Sequence, residues 1–534
     1  MRRGVVALVG CSLLVGVLIS ASGASGATSS SVTISVPGPI TGCSPLAQGT
    51  SDATLAIDDI ILPSAFVTST NDTVQGEGGA IASAELVSLN PETVVYAISP
   101  AMAWSNGVKF SATDLIDWWK AGRSSTSVTR VGYQDISSMV ADKTGTSVTA
   151  VFSRPYAAWN QLFRDVGFHG SNSTCAPSSL TRMVTLGPYR IVSATASSVV
   201  LEANPHWTLS FNRIQRVTIT TRSLLPARGQ LYVAYEPQFS SSSVMSLTQH
   251  PLLTGAITSQ NVIEEVQFAP HESSTKSVAL RRAWSLLIDR HALIKDLFGT
   301  ETLVPTPASS ALFAQGEPGN PSTGMVAGVT GVTGATSATS VVADCVRCGE
   351  QWLASHGYRR INHWLTFKGK PVTLSVATGQ SPVDRATTDA IRAQWRSLGV
   401  QTTLHQCASD VAASALAAGG GADVAIVERP TDINPVVPAE SFLSSRSKSS
   451  FAVNTSISSM ASLVSTALAT FNPVTALTAW SMVDQAVAKS FIVRPLFTPP
   501  ALVVWSTAVE NVVPVNSLEA LVDSVTNWGV AGQS

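Results

Sequence analysis

Cys345-Val-Arg-Cys348 is the one local pair of cysteines in the sequence. Thiols at that spacing can close a disulfide, cycle as a redox couple or supply half of a zinc site, but the last two need a thioredoxin-like setting or a second ligand pair. His405 with Cys407 is the only nearby candidate, so a structural bridge is the expectation. Templates for other chemistries fail in turn. There is no Walker A loop, no Gly-x-Ser-x-Gly elbow and no His-Glu-x-x-His; His271-Glu272 lacks the second histidine. Gly76-Glu-Gly-Gly79 and Gly419-Gly-Gly421 lack the spacing of a dinucleotide loop, and eight histidines spread over 534 residues make no ligand cluster. A Ser-His-Asp triad is a spatial arrangement, so a secreted hydrolase with dispersed catalytic residues stays open as an alternative. Ser111 and Asp114, after the turn Trp104-Ser-Asn-Gly107, have the spacing of a capping box, which starts a helix and performs no reaction.

The elements that would position any site are mixed. Ser31–Val36, Val199–Ala203, Val217–Thr221 and Val372–Val376 alternate with period two and are rich in β-branched residues, which predicts strands. Apolar spacing of three to four predicts helices over Thr113–Ala121, Ser277–Phe298, Asp384–Leu398 and Ser456–Lys489. This pattern points to an α/β or α+β fold. Ser322–Val342, nearly all Gly, Ser, Thr, Ala and Val, reads as a flexible surface insertion. At roughly 150 residues per domain, the length corresponds to three or four domain-sized units.

With 33 Lys+Arg against 34 Asp+Glu and only 13% charged residues, the chain lacks the basic footprint of a nucleic-acid binder. Its 45% hydrophobic content excludes global disorder. Arg2 and Arg3, the apolar run Val5–Ile19 and the small residues Ser20–Ala27 read as a secretory signal with cleavage after Ala27. Leu8-Val-Gly-Cys11 offers the alternative of a lipid anchor. Cys43, Cys175, Cys345, Cys348 and Cys407 would remain, for up to two disulfides and one leftover thiol, with the pairing open.

The order of the pieces adds more than any one of them. Val95–Asp114 resembles the "WSDG...TAxD" segment of the extracellular solute-binding proteins of family 5, which serve ABC importers of peptides and nickel. Val148–Phe152 with Arg154-Pro-Tyr156, Leu186-Gly-Pro-Tyr-Arg190 through Asn204-Pro-His-Trp207, Arg281–Arg290 and Thr306-Pro-Ala308 are similar to later family segments in the same order. So are Gly369–Leu374, Ile391–Val400, Asp423–Pro435 and Val483–Pro495, so that the resemblance spans about residues 30–515.

The resemblance implies a two-lobed, periplasmic-binding-protein-like α/β fold (type II, large cluster C-like) with a hinge and an interlobe ligand cleft. It implies a signal peptide over 1–27, a discontinuous lobe I from 28–75, 185–265 and 492–534, an accessory subdomain over 76–184, and lobe II over 266–491. Hinge crossings are expected near Val266–Pro270 and Phe491–Pro495, where strand-like segments end at proline. The implied function is capture of a peptide-like or other small solute, by an exported monomer of the cell envelope, for membrane permease subunits. It involves no catalysis, cofactor, metal or nucleic acid. A sensory or interaction module on the same fold is the further alternative. Peptide-binding members anchor the ligand ammonium with an aspartate, and Asp432 matches it by its interval from Asp423, with Asn434 beside it. Glu428 and Arg429 stand where the family has Gly-Trp. Arg429 is expected to bind a ligand carboxylate bidentately, or else to pair with Glu428 or solvent. Trp104, Trp118, Trp119, Trp352, Trp364 and Trp395 are read mainly as packing residues.

Overall fold

The computed structural model describes residues 30–532 apart from 48–49, 69–73, 78, 126–130, 171–174, 208–213, 222–229, 238, 240–249, 300–304, 314–318, 321–343, 432–434, 444–452 and 454–456. The expected signal (1–27), the expected insertion (322–342), Asp432 and Asn434 therefore lie outside the described residues.

Two large sheets organise the chain. The first has seven strands, in the order Leu253–Ser259, Pro500–Ser506, Leu231–Glu236, Ser31–Ser35, Arg216–Thr220, Ser198–Ala203 and Tyr189–Ala194. Ser31–Ser35 pairs parallel with both neighbours, so a strand from near the start of the chain sits inside the sheet, as does Pro500–Ser506 from near its end. Segments far apart in sequence thus build one sheet. Val32, Ile34, Val217 and Ile219 are buried at every second position and pack on the helix Asp52–Ile61 through Ala53, Ala56, Ile57, Ile60 and Ile61. That three-to-four spacing gives the helix one apolar face, and the Ser51 hydroxyl caps its start by accepting from the Thr54 amide.

A four-stranded antiparallel sheet, Ile81–Leu89, Glu92–Ile98, Ser147–Phe152 and Ile136–Ala141, is covered by the helix Ala112–Ser124. The Asp114 carboxylate accepts from the Ser111 amide at 2.9 Å, as the capping-box spacing predicts. Trp104, Trp118 and Trp119 are core residues here. A disulfide joins Cys43 to Cys175, a second joins Cys345 to Cys348 across the start of the helix Val346–Ser355, and Cys407 is the free thiol.

The second large sheet has five strands, in the order Gln401–Gln406, Thr373–Thr378, Val424–Pro430, Val262–Phe268 and Val493–Phe497. The first three run parallel, and Val262–Phe268 is antiparallel to both of its neighbours. The helices Pro382–Ser397 and Asp410–Ala418 follow the strands Thr373–Thr378 and Gln401–Gln406, and Trp395 and Ile391 are buried beneath the first of them. Two predicted helices are each interrupted. Ser277–Phe298 becomes Val278–Leu286 and Arg290–Phe298, because the Asp289 carboxylate caps a new start. Ser456–Lys489 becomes Met460–Leu468 and Pro473–Ser490, because Asn472 caps and Pro473 cannot donate to a continuing helix. Among the described residues no helix is long and apolar enough to cross a membrane.

The sheets are linked by two crossings, from Ser259 to Val262 and from Phe497 to Pro500. These correct the expected positions: Val266–Phe268 and Val493–Pro495 are instead paired inside the second sheet. A proline at a strand end marks a boundary only if that strand is unpaired there, and strand pairing is set by residues far away in sequence. The crossings touch. The Gln260 amide donates to Pro499 O at 2.9 Å, and its side chain donates to Pro237 O and Pro500 O.

Candidate functional site: an acidic junction between the two sheets

The crossings fix one end of the Val262–Phe268 strand, and Asn261 O accepts from the Thr431 amide just past the end of the neighbouring strand Val424–Pro430. Side chains in a strand alternate between faces. The antiparallel register sets Glu264 opposite Glu428 and Ile263 opposite Arg429, so the acidic pair and Arg429 project from opposite faces.

On one face, Arg429 donates to both oxygens of Glu265, each at 2.9 Å, and to Ala311 O. Arg429 and Glu265 are 2% and 0% exposed, and the guanidinium also lies 5.8 Å from the Phe442 ring centroid. Asp484 borders this face, accepting from the Ser310 hydroxyl and the Ala311 amide. Burial pushes its carboxyl up to about 6 against those hydrogen bonds. Arg429 is thus a strut between strands, and its carboxylate partner is Glu265 and not Glu428.

On the other face four carboxyls converge. Glu264 and Asp384 are buried, and Asp410 and Glu428 are half-buried. Asp384 lies in the first turn of the helix Pro382–Ser397 and Asp410 opens the helix Asp410–Ala418, each helix leaving the C-terminal end of a parallel strand. Helix N-termini favour negative charge, which is one reason aspartates stand there. Burial pushes Asp384 up to about 9, with the Asp410 carboxyl adding to it, and pushes Glu428 up to about 7, again with Asp410 adding. Burial also holds Glu264 well above the usual carboxylate range, with Asp384 beside it. Gly379 packs against the group: a Cβ there would stand 1.8 Å from an Asp410 oxygen and 2.8 Å from one of Asp384.

This face looks across to the first sheet. Asp52, at the start of the helix Asp52–Ile61, acts electrostatically on Glu428, and both act on Tyr235 at the end of the strand Leu231–Glu236. The Tyr235 hydroxyl donates to Asn516 O at 3.1 Å, and Asn516 O also accepts from the Asn261 amide in the crossing. The site therefore lies where parallel strands end, a usual ligand position in α/β sheets. Its charge suits a cationic group.

Of the residues singled out from sequence, Glu428 stands in the junction, Arg429 is on the opposite strand face, and Asp432 and Asn434 fall outside the described residues. Glu264, Asp384 and Asp410 were not anticipated. The consecutive acids Glu264-Glu265 inside a largely apolar strand were the available signal. A cleft of about 520 Å3 lies elsewhere, between the helices Val278–Leu286, Met460–Leu468 and Pro473–Ser490, and no junction residue lines it.

The chain is similar to several known proteins. Residues 78–450 match the family model described as bacterial extracellular solute-binding proteins, family 5 middle. A probable monoacyl phosphatidylinositol tetramannoside-binding protein, LpqW of Mycobacterium tuberculosis, is 29% identical over 123 residues, 22% of this chain and 19% of that protein. The oligopeptide-binding protein OppA of the same species is 23% identical over 298 residues, 51% of this chain and 49% of that one. The matched stretches thus cover at most about half the length of these curated relatives. Among solved structures, a periplasmic EDTA-binding protein, EppA, superposes with a TM-score of 0.76 at 21% identity, covering 94% of this chain and 96% of the other, which shows a shared fold.

Proposed function

We propose, because the chain belongs to the bacterial extracellular solute-binding proteins of family 5, that it captures a peptide-like solute between its two lobes and passes it unchanged to an ABC permease. The family is one of binding proteins, which supports a role without catalysis. The observation that carries the reading is the pair of adjacent crossings at Gln260 and Pro499, beside which Glu428 of one sheet acts electrostatically on Tyr235 of the other and is acted on by Asp52 at the start of the helix Asp52–Ile61. Two short adjoining crossings let the lobes turn relative to each other with few backbone changes. Closure over an ammonium removes water from the pair, and charge-assisted hydrogen bonds contribute about 1.5–3 kcal/mol each.

In this proposal Asp432 anchors the solute's ammonium, with Glu428 and Asn434 as further ligand-binding residues, and the Arg429–Glu265 pair holds the strand that carries Glu428. The protein acts as an exported monomer at the cell envelope, with lipid anchoring through Cys11 as the alternative to signal cleavage. The test is tryptophan fluorescence during titration with a peptide mixture, followed by mass spectrometry of the recovered solute. A saturable change with intact solute supports capture; turnover of the peptide contradicts it. Asp432→Asn should weaken peptides with a free amino terminus by about tenfold or more, one charge-assisted bond's worth. Amino-blocked peptides should change little, and equal losses for both would remove the anchor role.

A further inference from the structure

We propose that Glu264, Asp384, Asp410 and Glu428 form a binding site for one hard divalent cation of calcium's size on the junction face of the second lobe. One carboxylate oxygen from each of Asp384, Asp410 and Glu428 lies within 4.8 Å of the others. A calcium ion sits about 2.3–2.6 Å from each oxygen ligand, so ligands on opposite sides of it stand at about that separation. Clusters of acids occur without metals, and a second observation points to a ligand here. Glu264 is 0% exposed, is not one of those three, and sits opposite Glu428 in the strand register with its carboxyl against that of Asp384. No amide, hydroxyl or basic group donates to either oxygen of Glu264 or of buried Asp384; the two carboxyls have only each other and Asp410. Among the described residues no lysine, arginine or histidine forms an ion pair with any of the four; of the two adjacent in sequence, Arg429 is held by Glu265 on the other strand face and Arg385 is exposed.

Ionising buried carboxyls opposite one another across a strand pair is destabilising, and without a countercharge burial holds Glu264 and Asp384 in their protonated form. A divalent cation supplies the countercharge that lets the group ionise. Carboxylate-only donors select hard cations over zinc or copper, and mono- or bidentate carboxylates of uneven burial suit calcium's variable geometry better than magnesium's strict octahedron. Asp410 and Glu428 are half-buried, leaving further coordination positions to water. The absence of a Cβ at Gly379 allows the Asp384 and Asp410 carboxyls to converge. The cluster draws all four ligands from one lobe, so the cation can bind with or without solute.

The experiment is calorimetric titration of the full chain, stripped with a chelator and dialysed, with calcium chloride alone, and with magnesium or manganese chloride in parallel. One calcium per chain, with magnesium weaker, is expected. Asp410→Asn should weaken calcium by about tenfold through loss of one hard oxygen ligand, and Glu264→Gln with Asp384→Asn should abolish it. Circular dichroism checks the fold; should the buried double variant not fold, Asp410→Asn and Glu428→Gln, both at half-buried positions, decide. No heat with any of the three cations, or the same calcium affinity in folded variants, overturns the site. Peptide binding measured on the same samples separates the two readings: calcium without peptide upholds this site, and peptide without calcium overturns it.

Discussion

Replacing Glu265 by glutamine would leave Arg429, 2% exposed, without its countercharge. The two hydrogen bonds at 2.9 Å to the Glu265 carboxylate are the guanidinium's main anchorage. Removing one member of a buried pair costs about 3–5 kcal/mol, chiefly because the remaining charge stays desolvated. Ala311 O and the Phe442 ring still face the guanidinium, which places the expected loss near the lower end, about 3 kcal/mol. Urea unfolding followed by circular dichroism reads it, fitted to the transition that includes the second sheet. Arg429→Met combined with Glu265→Leu removes both charges and should recover most of the loss, giving a coupling of about 2–3 kcal/mol in the double-mutant cycle. A single-variant loss below about 0.5 kcal/mol, or strictly additive losses, would refute the strut. Arg429→Lys extends the test to binding: a strut role weakens free and amidated peptides alike, whereas a contact to the ligand carboxylate weakens free ones much more.

Three other outcomes follow from the structure. Replacing Cys43 and Cys175 by serine opens a bridge between positions 132 residues apart and should cost about 2–5 kcal/mol, read as a lower urea midpoint than that of the oxidised parent protein; an unchanged midpoint would contradict it. Asp484, 4% exposed and pushed up to about 6, binds its proton more tightly folded than unfolded, so its contribution is complete below about pH 4 and is lost as pH rises through about 6. Asp484→Asn should therefore flatten the fall in stability between about pH 4 and 6 by up to about 3 kcal/mol, and an unchanged pH profile across that window would contradict it. Gly379→Ala should displace the Asp410 carboxylate, for which a Cβ leaves no room, and lower calcium affinity in a chain that still folds; unaltered calcium affinity would remove the glycine from the site.

What could be read from the residues depended on range. Period-two strands such as Ser31–Ser35 and the capped helix Ala112–Ser124 are local patterns, and they formed where the patterns lie. The break at Asn472-Pro473 was legible in principle, since proline cannot continue a helix, but the long apolar periodicity outweighed it. The ordered family segments carried the two-lobed fold. The crossings were misplaced because the pairing of Val262–Phe268 with Val493–Phe497 is non-local. The site was half visible. Glu428 and Arg429 are adjacent in sequence, yet a strand turns them to opposite faces, so each finds a partner group that sequence neighbourhood conceals. Glu264, Asp384 and Asp410 come from three separate elements, and only the folded sheet brings them to Glu428.

The most direct measurement is small-angle X-ray scattering on chain first freed of solute by partial unfolding and dialysis, then saturated with a peptide shown by calorimetry to bind. Rotation about the crossings at Gln260 and Pro499 predicts a smaller radius of gyration with the peptide bound. Superimposable curves at proven saturation would contradict the claim that the two lobes close on their solute.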